Sequence, residues 1–317
     1  MRNRFIDSVR GLAISIVVLG HAIQKCNGMD PSSPVQIVIM TFWMPLFFLI
    51  SGYLCGMSSN KDYVGAVKRK VVRLLLPYIA WQQIHYFLSV IRHGNYSISC
   101  QLWGILESDF WFLRLLFCVY LVWYAYMHIL HRNVDKWSCR SRIFWGVVVS
   151  CALFLLLVLV LRQRSLLSYF PCFIVGVVWF NTEQLIGIRL ARFLYGVAAL
   201  IFCAEVPVLL NSVETGGIKL LLLDKSMALC GSAMVVVATY LLSKFAAVES
   251  CLAWLGTRSL SIYSIHWCLF FSLGIVAWTN PICAWTCWMV CCVVMDVCWE
   301  KLRRAIYPRI KECKTML

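Results

Sequence analysis

Charge is scarce in this sequence, and acid is scarcer than base. Of 317 residues only 14% are charged, and 14 Asp and Glu face 29 Lys and Arg. A typical soluble domain carries about a quarter charged residues and about half apolar ones. Here 62% are hydrophobic and the mean hydropathy is +0.79. A water-soluble globule of this size lacks the interior to hide so much apolar surface. No low-complexity segment and no internal repeat is visible, which argues against solenoids and repeat-built transporters. Long polar loops are missing too, so no soluble domain fits between the apolar stretches. No two cysteines stand in a CxxC pair, which removes the commonest zinc and redox patterns.

What is present is a series of apolar runs about 17–25 residues long, the length of a membrane helix and twice that of a barrel strand. Ten spans are expected, at 7–25, 35–57, 74–91, 110–130, 143–161, 166–181, 193–210, 226–243, 257–278 and 282–299. The sixth is expected to be short and to begin near Pro171. Fourteen Trp and 13 Tyr suit interfacial anchoring. The expected fold class is all-α: a polytopic membrane protein of about ten transmembrane helices, with residues 1–317 as one membrane domain.

Basic residues set the orientation. With the N-terminus in the cytoplasm, 21 of the 29 fall on that side, including Lys61, Lys68, Arg69, Lys70, Arg73, Arg140 and the tail after Glu300. Six fall outside, namely Lys25, Arg92, Arg162, Arg164, Lys219 and Lys225, while Arg10 and Arg114 lie within spans. The bias places both termini in the cytoplasm. It also accounts for most of the net charge of +15, so nucleic acid is not needed as a partner. The first span has a basic start but no small-x-small cleavage site. It is read as a helix rather than a leader, with Asp7 as its N-cap.

Seventeen cysteines look like a disulfide scaffold by number, but most lie inside apolar spans, where a thiol behaves as a small hydrophobe. Cys283, Cys287 and Cys291 share a helix face; small-residue packing explains them better than a metal, and no metal is expected. Cys26 and Cys100 both fall on the outer side, where a disulfide between them is open.

Ionisable residues inside a membrane are costly, so each is a functional hypothesis. Arg10 and His21 lead. They are eleven residues apart, which at about 100° per residue is close to three turns, so both lie on one face roughly 16 Å apart along the axis. Next is the run Lys68-Arg69-Lys70-Val71-Val72-Arg73. Ordinary topology signalling would explain it, yet Lys70 and Arg73 stand one α-turn apart and could hold an anionic group at the surface. His266 lies mid-span. Glu205 could orient a histidine. Asp296 is expected to pair with Arg303. Arg114, His85 and His128 read as snorkelling, packing or interfacial residues.

Asp7-Ser8-Val9-Arg10-Gly11-Leu12-Ala13-Ile14 with Val17-Val18-Leu19-Gly20-His21 resembles the first helix of the acyltransferase-3 family. Arg10 and His21 meet its Arg-x10-His signature. Met44-Pro45-Leu46-Phe47-Phe48-Leu49-Ile50-Ser51-Gly52-Tyr53 resembles its second helix. The basic run into Pro77-Tyr78 resembles its Arg-x-x-Arg motif, with Lys70 in the first place and Arg69 able to compensate. Trp111-Phe112-Leu113 and Ser259-Leu260-Ser261-Ile262-Tyr263-Ser264-Ile265-His266 are similar to weaker motifs. Within the family the pattern is nearest to members related to fucose 4-O-acetylase.

The resemblance implies a membrane O-acyltransferase that uses acyl-CoA, most simply acetyl-CoA, as co-substrate, with no permanently bound cofactor. The acceptor would be a sugar hydroxyl of a surface polysaccharide or lipid-linked glycan. The location would be a bacterial cytoplasmic membrane. His21 would be the base, with His266 lining the site. Arg10, Arg69, Lys70 and Arg73 would meet the donor phosphates, and Ser51 and Tyr53 would serve the oxyanion or substrate. Embedded charges also mark transport paths, so an exporter of a small molecule or acylated sugar is the rival reading. A structural membrane protein is the other rival.

Overall fold

In lipid a backbone N–H or C=O has no water to bond, so an apolar chain satisfies these groups within helices. The computed structural model describes residues 3–26, 33–58, 62–93, 110–131, 138–159, 165–212, 218–268 and 280–315, and within these every regular element is helical. We number them α1 (Arg4–Cys26), α2 (Pro34–Gly56), α3 (Tyr63–Lys70), α4 (Leu76–His93), α5 (Trp111–Leu130), α6 (Cys139–Leu159), α7 (Leu166–Ile186), α8 (Ile188–Ser212), α9 (Ile218–Leu242), α10 (Ala246–Thr257), α11 (Ser259–Trp267) and α12 (Pro281–Thr315). Between α3 and α4 the segment Val71–Leu75 winds as a wider π-turn.

Eight helices among the described residues are long and apolar enough to cross a membrane: α1, α2, α5, α6, α7, α8, α9 and α12. Two expected spans depart from this pattern. The third corresponds to the π-turn and α4, whose Gln82, Gln83, His85, Arg92 and His93 dilute its apolar character. The ninth is broken at Arg258 into the end of α10 and the short α11; its continuation at 269–278 lies outside the described residues. The sixth span is longer than expected. Pro171 does not start it but lies inside α7, near its N-terminal end, where few intrahelical donors are lost.

Asp7 is not the N-cap of α1. That helix begins at Arg4, and the Asn3 side chain accepts from the Ile6 backbone N–H at 3.3 Å. Asp7 is buried one turn further on.

The chain divides into two compact units. The first comprises residues 1–43 and 194–317. Its centre is α1, which packs against α9, α10, α11 and α12. Accordingly 67% of the apolar stretch of α1 is buried, against 11% for α8. Small residues permit the close approach. A Cβ on Gly11 would strike the Leu252 carbonyl, and one on Gly256 would strike the Asp7 carbonyl, so α1 and α10 cross backbone to backbone. Hydroxyls in α1 bond within the helix: Ser15 Oγ donates to the Gly11 carbonyl at 3.0 Å.

The second unit, residues 44–193, is organised around α5, which packs against α3, the π-turn, α6 and α7. Its interior is aromatic: Phe48 stacks on Tyr169 at 4.9 Å, and Phe112, Tyr120 and Phe173 interleave edge to face. Gly52 and Gly176 allow α2 and α7 to cross as closely as α1 and α10 do.

Candidate functional site

In the first unit, α1 carries Arg10 and His21 three turns apart, as their spacing requires. Beside it α11 carries Ser259 and His266 seven residues apart, close to two turns at about 100° per residue, and therefore on one face. The two faces meet at both ends. Near the start of each helix, Arg10 Nη2 donates to Ser259 Oγ at 3.1 Å, and Arg10 Nη1 lies 3.8 Å from Asp7 Oδ1. Further along, the imidazoles of His21 and His266 approach to 5.4 Å between centroids. Matching order along both helices means that α11 runs alongside α1 in the same sense.

The histidine pair sits among aromatic rings. Trp43 of α2 lies 4.8 Å from His21, and Trp267 meets it edge-on at 5.1 Å. Tyr263 lies 5.6 Å from His266. His266 is fully buried and His21 is half-buried. Each ring is oriented through Nδ1. His266 Nδ1 is 3.0 Å from the Ile262 carbonyl, and His21 Nδ1 is 3.2 Å from Gln24 Oε1. The Ile262 carbonyl can only accept, so His266 carries its hydrogen on Nδ1 and keeps a lone pair on Nε2, and His21 does the same when Gln24 presents its amide oxygen. The arrangement is one in which a neutral imidazole can take a proton in a water-poor setting.

Other embedded charges of this unit take structural partners. Asp296 pairs with Arg258, whose Nε lies 2.9 Å from Asp296 Oδ2. The side chain of Arg303, its expected partner, lies outside the described residues. Glu205 accepts from Ser226 Oγ on α9. Cys26 is a free thiol; Cys100 lies outside the described residues. Among the described residues no group of three His, Cys, Asp or Glu side chains could hold a metal ion.

In the second unit the basic run does not act as one turn. Arg69 is exposed and lies 3.5 Å from Asp62 Oδ2. Lys70 turns inward, its Nζ 3.5 Å above the Tyr120 ring. Arg73 is exposed. The spacing Lys70–Arg73 implies a shared face only in an α-helix; the π-turn that begins at Val71 changes the angular step and separates them. Ser51 is half-buried in α2. Tyr53 donates from its hydroxyl to Glu183 Oε2 at 3.1 Å, a partner that sequence reasoning did not supply. Arg114 lies against the Tyr78 ring, 5.9 Å from its centroid, and His85 packs edge-on to Phe110. His128 is exposed.

Trp43, Trp267, Gln24 and Arg258 were also missed. Gln24 was findable, since it stands one turn after His21 on the same helix. Trp267 adjoins His266 in sequence. Trp43 carries no local signal and is brought in only by packing, its ring lying where Gly20 has no Cβ.

Eight helices long and apolar enough to cross a membrane, one of them carrying an arginine and, three turns on, one member of a histidine pair, define an integral membrane protein. The chain belongs to the acyltransferase-3 family: the profile described as an acyltransferase domain matches residues 3–300. Among curated proteins it is similar to the nodulation protein NolL of Sinorhizobium fredii (strain NBRC 101917 / NGR234). The two are 27% identical over 197 residues, covering 58% of this chain and 50% of that protein. It is also similar to the nodulation protein NolL of Mesorhizobium japonicum (strain LMG 29417 / CECT 9101 / MAFF 303099), 36% identical over 85 residues, or 25% of this chain and 23% of the relative. The matches thus span half or less of these relatives. No solved structure matches the chain.

Proposed function

We propose that this chain is a membrane O-acyltransferase that moves an acyl group, most simply acetyl, from acyl-CoA to a sugar hydroxyl of a surface polysaccharide or lipid-linked glycan. The observation that carries the reading is the His21–His266 pair, held by Nδ1 contacts on a helix whose same face bears Arg10, in a chain of this family.

The chemistry follows from the residues. His21 Nε2 takes the proton of the acceptor hydroxyl as its oxygen attacks the thioester carbonyl. The new C–O bond forms, the C–S bond breaks, and the CoA thiolate takes the proton back from the imidazolium. His266 lines the same place and supports or replaces His21. A donor must stabilise the oxyanion; Ser51 and Tyr53 are assigned to this by family position, and Tyr53, whose one hydroxyl hydrogen goes to Glu183, must release that bond to serve.

Donor phosphates meet cations on the cytoplasmic side. Arg10 is one of them. Arg69 and Arg73 are exposed there, and the surface pair Arg69–Asp62 is weak enough to exchange for phosphate. Lys70 contributes from the Tyr120 face. The protein resides in a bacterial cytoplasmic membrane as one domain of ten spans with both termini inside, following the distribution of basic residues.

The test is glycan mass spectrometry of cells with and without the gene, together with labelled acetyl-CoA supplied to their membranes. Loss of an acetyl-sized mass from one glycan, restored by the wild-type gene, is the expected outcome. Unchanged glycans and no label transfer would overturn it, and an altered amount of an unmodified glycan outside the cell would favour the exporter.

A further inference from the structure

Arg258 sits at the break between α10 and α11, immediately before Ser259. Its guanidinium is gripped from several directions. Nε lies 2.9 Å from Asp296 Oδ2 and Nη2 lies 2.7 Å from Glu300 Oε2, both on α12. Nη1 donates to Thr257 Oγ1 at 3.3 Å. The group lies over the Trp254 ring at 4.1 Å. Glu300 is itself tied to Arg304. Asp296 is 7% exposed, so the cluster has a buried carboxylate at its inner end, while Glu300 and Arg304 reach water.

Such a clasp needs a reason, because burying charges is costly even when they are paired, and apolar replacement is often no worse for stability. Its position suggests one. Asp296 and Glu300 are four residues apart on α12, one above the other, and each carboxylate lies against a different nitrogen of the guanidinium. They therefore fix both the place and the rotation of the α10–α11 corner. The residue after the corner holds Arg10, and two turns later His266 meets His21. A rotation at the corner would move both contacts together.

We propose that Arg258, held by Asp296 and Glu300, is a positioning residue that sets α11 so that Ser259 meets Arg10 and His266 meets His21. The inference rests on the acyl-transfer reading for its catalytic consequence, but not for its geometry.

The test uses the full chain in detergent with isotope-labelled histidine rings, the six histidines being assigned by single replacements. Arg258→Gln is expected to shift the ring signals of His21 and His266 and to leave His128 unchanged. Alongside, labelled acetyl-CoA is supplied to membranes of a gene-deleted strain carrying each variant. A misplacement near 1 Å can cost about 10²-fold in rate, so kcat should fall by that order, with KM for acetyl-CoA rising less than in Arg10→Ala because the Arg10 side chain is still present. Arg258→Lys keeps the charge but loses the fork, and guards against loss of folding; it should melt like the wild type and fall between the two in kcat. The exchanged pair Arg258→Asp with Asp296→Arg should recover part of the loss. Wild-type ring signals and wild-type kcat in folded Arg258→Gln or Arg258→Lys would overturn the proposal. If the wild-type protein transfers no acetyl group, the acyl-transfer reading fails alone, and the ring signals still decide the positioning.

Discussion

Arg10 divides one guanidinium between Asp7 on its own helix and Ser259 on α11, and remains about one-third exposed. Removing a charged hydrogen-bond donor costs about 1.5–3 kcal/mol, which is roughly ten- to a hundredfold in affinity. Arg10→Ala should raise the acetyl-CoA KM by that order, with activity returning at high donor concentration; steady-state kinetics at varied donor checks it, and a fall in kcat alone would move Arg10 from donor binding to support of α11. The candidates at this scale were partly legible in sequence. Arg10 and His21 stood out because helical periodicity turns an eleven-residue spacing into one face. The aromatic surround did not, since Trp43 reaches His21 only through packing. Nor did Arg258–Asp296, because a pair separated by dozens of residues has no local pattern to reveal it.

The helices show where hydropathy suffices and where it does not. Spans such as α1 and α2 begin and end within a few residues of their apolar runs, whereas α12 starts with its run and continues as helix to Thr315. The π-turn at Val71–Leu75 and the break at Arg258 were invisible, since both depend on which neighbour the local backbone packs against. The crossing of α1 and α10 gives an element-scale prediction. A methyl on Gly256 would overlap the Asp7 carbonyl, which is backbone and cannot rotate away. Overpacking of this kind costs about 1–3 kcal/mol, so Gly256→Ala should lower the melting temperature in detergent, whereas Gly196→Ala, with open space around it, should not. A wild-type melt for Gly256→Ala would mean that the two backbones do not meet. The basic run gives another. With Lys70 on Tyr120 and Arg73 exposed, Arg73→Gln should weaken CoA binding in a manner that salt screens. Lys70→Gln should do so less steeply with salt. Identical salt slopes in calorimetry would put both residues back in one surface turn.

For the whole molecule, the account joins a donor made in the cytoplasm to a base held within the membrane. Basic residues supply the orientation: fusions of a reporter at Met57 and Arg140 should read cytoplasmic, and one near Gly217 external. An external signal at Arg140 would break the ten-span arrangement. On the proposed orientation and reaction, acyl-CoA would reach Arg10 from inside, and its thioester would have to travel roughly 16 Å along α1, at 1.5 Å per residue, to meet His21. The pantetheine arm is of comparable reach. Loss of a general base typically costs about 10²–10⁴ in rate, while donor binding should survive it. The most direct measurement is therefore acetyl transfer from labelled acetyl-CoA by His21→Ala in membranes, read beside CoA binding and melting of the same variant. The account predicts only trace product from a protein that still binds CoA and melts normally; near wild-type turnover in that folded protein would contradict it and leave His266 as the base to test.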